Sequence, residues 1–467
     1  MVRIFNQLVS IKALVLIQTE AVLILFCFLA AAKLWHWQDP AGFPLYASWP
    51  GFLGQCLLQM VLLQICFYCN DLYGGSCGSH IQQLSGLLRA IGTLCIISAL
   101  LYFLAPLLMM GRGVLILALA LTLLGAFTTR LLLDKAWQAT GPARNLLVLG
   151  TGSLALALSQ EIRRRGDLNL NVSAFADKAG SSGESGREFL GRPVISLSSL
   201  QENVPEMGVS QIVVALEDRR GALPVGDLVR LRLQGVNVTD AHELLTALSG
   251  RVWLNTALPS GFIFAEGFPR SKFTLIWKRA LDLLFALVGT LVTLPVMALT
   301  ALAIWLDSGR PVIYQQTRVG LKGKEFRLLK FRSMRVDAEA DGEPQWARAK
   351  DPRVTRVGAF LRAYRLDELP QFINVIRGQM SFVGPRPERP CFVAQLRTII
   401  PYYDERHFVR PGVTGWAQVQ YPYGATIPEA AGKLEYDLFY LKNMSFAFDC
   451  AIALKTLRIV FLGWGSR

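Results

Sequence analysis

Four apolar runs, near residues 13–35, 50–70, 90–110 and 113–133, constrain this chain more than any other feature. Each is about as long as a bilayer core requires, roughly 20 residues, and carries few charges. Glu20 lies inside the first run. A carboxylate is costly in lipid, so it is expected to face another helix or to sit near the interface. Arg3 and Lys12 precede the first run, and Arg130, Lys135 and Arg144 end or follow the fourth. The positive-inside rule therefore places both ends in the cytoplasm, with Lys33 and Arg112 on the outer side weakening the contrast. No small-residue cleavage site follows the first run, so a cleaved signal peptide is not expected.

Composition agrees. Of 467 residues, 52% are hydrophobic, and the formal net charge is +14. Mean hydropathy is +0.37 and the isoelectric point is near 9.6. That length suggests two or three domains. So basic a chain suits an anionic partner, and basic residues beside apolar runs make that partner a lipid bilayer. Nucleic acid is not expected, because no zinc-finger or other nucleic-acid motif is present. Cys66 and Cys69 form a C-x-x-C inside the second run, read here as apolar filler in a membrane helix. The four histidines, His36, His80, His242 and His407, show no metal-ligand spacing.

Residues 143–248 change character, with short apolar runs alternating with charged, helix-like stretches. NLLVLG (145–150) reads as a buried strand, GTGSLA opens a helix to about Arg165, and QIVVALED (211–218) reads as another strand. This is β-α-β patterning and predicts a parallel sheet in a Rossmann-like domain. Gly150, Gly152 and Ala155 fit the relaxed G-x-G-x-x-A nucleotide loop, with Asp177 following a second strand. A lone match of this kind is weak, and a sheet that binds no dinucleotide fits equally. The Gly/Ser-rich stretch 178–192 reads as a surface loop, and 249–272, punctuated by Gly261, Gly267 and Pro269, as a linker.

A fifth apolar run follows, with no charge between Asp282 and Asp307. A straight crossing there would carry everything downstream to the outer side. Pro295 in its middle removes a hydrogen bond and bends a helix, so a re-entrant helix, about 276–306, would return the chain to its original face. Thr293 is a candidate to bond the carbonyl that the proline frees. Beyond it, 311–320 and 324–334 read as a strand pair joined by residues 320–323, and 337–343 as an acidic loop. VAQLRTIIPYYDERHF and DCAIALKTLRIVFLGW are amphipathic, suited to a bilayer surface or to packing on the domain's own core.

The stretch Arg365–Pro387, RLDELPQFINVIRGQMSFVGPRP, concentrates the chemistry. Asp367 and Glu368 are adjacent; Pro370 suits a first helical turn. Phe372, Ile373 and Ile376 supply an apolar side, and Gly378 a stop. Arg386 is held between Pro385 and Pro387, with Arg362, Arg365 and Arg377 nearby. Two acids and a stiffly presented arginine suit a substrate with phosphates and Mg²⁺, since a carboxylate can hold the metal or attack phosphorus. Two carboxylates favouring a helix N-terminus are the competing account. Lys330, Arg332 and Ser333 are candidate phosphate contacts and Arg410 a candidate substrate contact. Gly412 and Gly415 are expected to serve backbone turns. Glu435 and Asp437 either support the site or line a solvated helix face.

LDELPQ, VGPRP, FRLLKFRSM (326–334) and RPGVTGWAQV (410–419), in that set and over residues 273–467, resemble the bacterial sugar transferase family, the monotopic phosphoglycosyl transferases. The upstream layout resembles its large, exopolysaccharide-initiating branch. The resemblance implies a membrane protein with four transmembrane helices (1–137), a Rossmann-like accessory domain (143–248) and a mixed α/β catalytic domain (273–467) with a re-entrant helix. It implies sugar-1-phosphate transfer from a UDP-sugar to undecaprenyl phosphate at the cytoplasmic face of the bacterial inner membrane. Asp367 would be the nucleophile, Glu368 its partner, and Pro385, Arg386 and Pro387 the nucleotide-phosphate loop. One departure stands out: the family often carries Ser-Pro at the helix break, and here it is Leu294-Pro295. Two other readings are a membrane-bound NAD-dependent nucleotide-sugar-modifying enzyme and a non-catalytic nucleotide-binding scaffold. A homodimer through the N-terminal helices or middle domain stays open, with no heptad arguing for it.

Overall fold

The apolar runs fold as helices. The computed structural model describes residues 2–4, 6–37, 51–73, 80–140, 144–177, 188–216, 223–254, 272–335, 338, 353–421 and 426–462. The chain divides into two units, Met1–Ser249 and Gly250–Arg467. The first opens with an antiparallel hairpin, β1 (Val2–Ile4) and β2 (Gln7–Val9), followed by α1 (Ile11–Trp35), α2 (Phe52–Cys69), α3 (His80–Leu104) and α4 (Arg112–Thr140). The third helix begins at His80, earlier than its apolar run, and stops just before Pro106. Ile24, Phe28, Leu63, Phe67, Leu87 and Leu94 fill the space between helices, while Phe26, Leu53, Ile96, Leu100, Ile116 and Leu124 face outward. A helix apolar all round belongs in lipid or in a core.

Glu20 faces another helix, as expected. Arg130 of α4 donates to both of its carboxylate oxygens, Nε to Oε1 at 2.8 Å and Nη2 to Oε2 at 3.1 Å, and Nη1 donates to Leu72 O at 2.8 Å. Both side chains are buried.

After α4 come β3 (Arg144–Leu149), α5 (Ser153–Arg164), β4 (Leu170–Asp177), β5 (Glu188–Phe189), β6 (Arg192–Ser196), α6 (Leu200–Glu206), β7 (Val209–Val214), α7 (Val225–Leu233), β8 (Asn237–Asp240) and α8 (Ala241–Ser249). The sheet order is β5-β6-β4-β3-β7-β8, all parallel except the β5–β6 pair. The chain thus winds outward from β3 in one direction, returns, and winds outward in the other. Strand β5 and the start of β6 occupy 188–192, the end of the stretch expected to be a loop, because the chain pairs there instead of running free; residues 178–187 lie outside the described residues. Arg165, just after α5, donates to Leu8 O of β2 at 2.8 Å and to Leu248 O at 2.9 Å, and Arg3 pairs with Glu243. The segment before α1 and the domain after α4 therefore meet, which puts both ends of the helical region on one side.

The second unit comprises α9 (Lys272–Ser308), β9 (Ile313–Val319), β10 (Glu325–Phe331), α10 (Arg356–Ala363), α11 (Gln371–Ile376), β11 (Ser381–Val383), α12 (Pro390–Ile399), β12 (Gly412–Thr414), α13 (Trp416–Gln420), α14 (Ile427–Asn443) and α15 (Phe446–Leu462). Strands β9 and β10 pair antiparallel across the expected turn, and β11 and β12 pair parallel. Among the described residues, α1 to α4 and α9 are the helices long and apolar enough to cross a membrane. The linker residues 255–271 and most of the acidic loop (339–343) lie outside the described residues.

Helix α9 runs through Pro295 for 37 residues, roughly 55 Å at 1.5 Å per residue. Before the proline, Lys278 donates to Asp449 Oδ2 (2.7 Å), Tyr440 OH (2.9 Å) and Val383 O (3.0 Å). After it, Ile304 packs with Phe331 and Leu361, and Arg332 donates to Ser308 O and Gly309 O, each at 2.7 Å. Both ends of the helix are thus bound to the same unit, while Leu291, Val292, Leu299 and Leu306 stay exposed between them. Thr293 does not bond the carbonyl that Pro295 frees: its Oγ1 donates to Gly289 O at 2.6 Å, one turn back on its own face.

Breaking the Glu20–Arg130 pair from one side strands a buried charge. Glu20→Ala is expected to cost about 3–5 kcal/mol, and a Glu20→Leu/Arg130→Leu double variant far less. Thermal unfolding in detergent, read by tryptophan fluorescence, checks both.

Candidate functional site

Helix α10 is capped by Thr355, whose hydroxyl accepts from Gly358 N at 2.9 Å. It ends at Tyr364, and Arg365 then takes a left-handed backbone, φ +54°. That conformation is uncommon for a residue with a Cβ and recurs at functional sites. It reverses the chain into a 3₁₀ turn, Leu366–Glu368, that carries both acids; Pro370 then caps α11, and Gly378 at φ +80° stops it. The expected apolar side of α11 is corrected. Gln371, Asn374 and Val375 face inward, and Ile376 is exposed. The reason is hydrogen bonding. Buried Asn374 accepts from Leu329 N (3.0 Å) and donates to Arg327 O and Gln379 Oε1 (both 2.8 Å), fastening α11 to strand β10. Phe372 rests on α9 at Gly289, where a Cβ would come within 2.9 Å of its ring.

The two acids differ sharply. Glu368 is ringed by cations: Arg386 Nη2 at 2.8 Å, Lys330 Nζ at 3.9 Å and Arg365 Nη1 at 4.0 Å. Burial pushes its carboxyl up, but Arg386, Lys330 and Arg365 together hold it below the usual carboxylate range. Asp367 is 9% exposed and makes no hydrogen bond to a described residue. Burial, with Glu368's charge beside it, pushes its carboxyl above the usual range, against the pull of Lys330, Arg386 and Arg362. Burial brings Lys330 down to about 8, against the pull of Glu368. Adjacent carboxylates driven apart in this way take different chemical roles. Asp367 caps no helix through its side chain, but both acids lie in the first turn of the 3₁₀ segment, where a helix N-terminus favours negative charge.

Arg386 reaches Glu368 from the turn after β11. Gly384, Gly412 and Gly415 bring the two parallel strands into close contact: a Cβ on Gly412 would lie 2.1 Å from Gly384 N, and one on Gly415 2.1 Å from Gly384 O. These glycines serve close approach rather than turns, since Gly415 is extended at φ −166°. Asp282 of α9 holds β11 from below, accepting from Ser381 Oγ at 2.8 Å and Phe382 N at 2.9 Å. Pro385 O accepts from Gly412 N at 2.9 Å, so Pro385 and Pro387 are fixed on either side of Arg386.

Other expected residues fall elsewhere. Arg332 is buried and its Nη2 binds the end of α9 at Ser308 and Gly309, away from the acids' direct contacts. Arg410 Nε donates to Gly378 O at 3.0 Å, so it supports the stop of α11. Pro295 lies inside α9. Glu435 and Asp437 are not on a solvated face: Glu435 accepts from Leu254 N and Arg251 (both 3.1 Å), and Asp437 lies 2.8 Å from Arg406 Nη2. Helix α15 buries Phe448 and Ile452 against the domain, while Phe446 and Leu457 stay exposed. In the first unit, Gly150 takes φ +111° with Ala215 O 2.9 Å from where its Cβ would be, Gly152 precedes α5 and Ala155 is buried; Thr151 Oγ1 donates to Asp177. Asp282, Lys278, Asn374, Arg318 and Arg406 were not singled out from sequence, because buried polar residues announce themselves only by their partners.

Residues 273–463 match the family model described as bacterial sugar transferase. The chain is 39% identical over 267 residues to a UDP-N-acetylgalactosamine-undecaprenyl-phosphate N-acetylgalactosaminephosphotransferase of Aeromonas hydrophila, covering 56% of this chain and 62% of that one. It is 45% identical over 201 residues to a UDP-glucose:undecaprenyl-phosphate glucose-1-phosphate transferase of Escherichia coli (strain K12), covering 43% and 42%. It is 40% identical over 193 residues to the exopolysaccharide production protein PSS of Rhizobium leguminosarum bv. phaseoli, covering 39% of this chain and 94% of that one. The match therefore spans about two fifths to three fifths of the first two relatives.

Asn374→Leu would orphan Leu329 N–H and Arg327 C=O, at about 1–3 kcal/mol for each buried group. A melting temperature lowered accordingly, with Asn374→Asp intermediate, is the expected result of a thermal scan.

Proposed function

The chain belongs to the bacterial sugar transferase family, and from that premise we propose that it transfers a sugar-1-phosphate from a UDP-sugar to undecaprenyl phosphate, releasing UMP. This would be the first membrane step of exopolysaccharide assembly, carried out at the cytoplasmic face of the bacterial inner membrane. The observation that carries the reading is the asymmetry of the acid pair. Asp367 is buried and bound to nothing described, while Glu368 is neutralised by Arg386, Lys330 and Arg365.

An Asp367 oxygen attacks the sugar-bearing phosphorus, forming an aspartyl phosphosugar. The phosphoanhydride bond breaks, and its bridging oxygen leaves with UMP. An oxygen of undecaprenyl phosphate then attacks the same phosphorus, and the Asp367 carboxylate leaves. One phosphoanhydride replaces another, so the protein's task is to aim the groups, neutralise charge and exclude water. Arg386 and Lys330 neutralise the donor's diphosphate, and Glu368 keeps both cations in place between turnovers. Mg²⁺ takes one or two carboxylates plus substrate oxygens, and an unbonded carboxylate beside a second acid fits that need. No group of three ligand side chains lies together among the described residues. Asp367, with Glu368 behind it, would hold the ion, which supplies charge neutralisation.

The re-entrant reading of α9 is supported by Lys278 and Ser308 both being bound to one unit. Cysteines placed at Phe273 and Asp307 are expected to react with an impermeant maleimide from the same side of inverted vesicles. Labelling from opposite sides would make α9 a true crossing. The first unit's parallel sheet, wound both ways from β3, supports a Rossmann-like accessory domain.

The purified chain with undecaprenyl phosphate, Mg²⁺ and a panel of UDP-sugars is expected to release UMP. Asp367→Asn should reduce this by roughly 10³-fold or more, and EDTA should stop it. Release of UDP in place of UMP would overturn the covalent route.

A further inference from the structure

The turn Pro385–Pro387 presents Arg386, yet proline supplies no N–H to anchor it, so its carbonyls must be held from behind. Four donors do so. Gly412 N takes Pro385 O at 2.9 Å and Val319 N takes Glu388 O at 2.9 Å, both backbone bonds. The other two are side chains: Arg406 Nη2 donates to Arg386 O at 2.9 Å, and Arg318 Nη1 donates to Pro387 O at 3.0 Å. Arg406 is itself fixed on three sides. It is 7% exposed, its Nη1 donates to Tyr403 OH at 2.7 Å, and Asp437 Oδ2 of α14 lies 2.8 Å from Nη2. Arg318 is tied to Gln316 Oε1 and Glu388.

Building on the reading of Arg386 above, we infer that Arg406, locked by Tyr403 and Asp437, is a positioning residue that sets where the Arg386 guanidinium stands. The reach is direct. Arg406 grips the carbonyl of the very residue whose side chain meets Glu368 at 2.8 Å. Lysine in its place keeps one positive charge for Asp437 but loses the fork, and cannot reach Tyr403 OH, Asp437 and the Arg386 carbonyl in the same geometry.

The test is a double-mutant cycle on sugar-phosphate transfer, with melting temperature followed for every variant. A misplacement of about 1 Å can cost about 100-fold in rate, so Arg406→Lys is expected to lower kcat about 10- to 100-fold, with the KM for undecaprenyl phosphate unchanged. In an Arg386→Ala background the same substitution should cost nothing further, because there is no guanidinium left to aim. Tyr403→Phe, which removes a single oxygen, is the milder second variant should Arg406→Lys fail to fold. It should lower kcat several-fold, and again only when Arg386 is present. Equal losses with and without Arg386 would overturn the inference and leave the transferase reading standing. An Arg386→Ala variant as active as the parent would remove Arg386 from the reaction and overturn the inference with it.

Discussion

The catalytic unit is organised around one buried carboxylate and the cations it holds. Glu368 draws together Lys330 from β10, Arg365 from the reversed turn before it, and Arg386 from the turn after β11. Without that negative charge, three cations would share a poorly solvated site at mutual cost. With it, Lys330 and Arg386 sit preorganised beside Asp367. An arginine–carboxylate bond at 2.8 Å is also a contact that an incoming anion can compete for.

That arrangement rests on the apolar helix below it. Helix α9 contributes Asp282 to β11, Lys278 to Asp449 and Val383, and Gly289 to the ring of Phe372 on α11. A helix long and apolar enough to cross a membrane therefore also supports both segments that deliver the acids and Arg386. Its outward side carries Leu291, Val292 and Leu299, with no charge between Asp282 and Asp307.

The local features were legible in the sequence because they are written in local chemistry. The apolar runs, the β9–β10 pair, the stop at Gly378 and the adjacent acids all follow from residue type and spacing. What could not be read is long-range pairing. Nothing local distinguishes Asn374, which bonds strand β10, from a solvated asparagine, and periodicity alone preferred Ile376 for the inward side. Glu435 and Asp437 stayed open between supporting the site and a solvated helix face because their partners, Arg251 and Arg406, lie 184 and 31 positions away, the second number being the difference 437 − 406. The glycines at 412 and 415 were read as turns; their purpose, with Gly384, is the contact between two strands and needs both strands to be seen.

The same distinction shows in Lys330 and Arg332, of which only the first reaches the acid pair. Two residues apart on one extended segment, both point to the same side, and a basic pair there suggests one anion. The segment passes the end of α9, however, where the helix leaves carbonyls without partners. Arg332 binds two of these, Ser308 O and Gly309 O, and only Lys330 reaches Glu368. A helix that ends beside a buried strand segment requires a donor to close it. The chain divides two neighbouring cations between ending the membrane helix and meeting the acid pair.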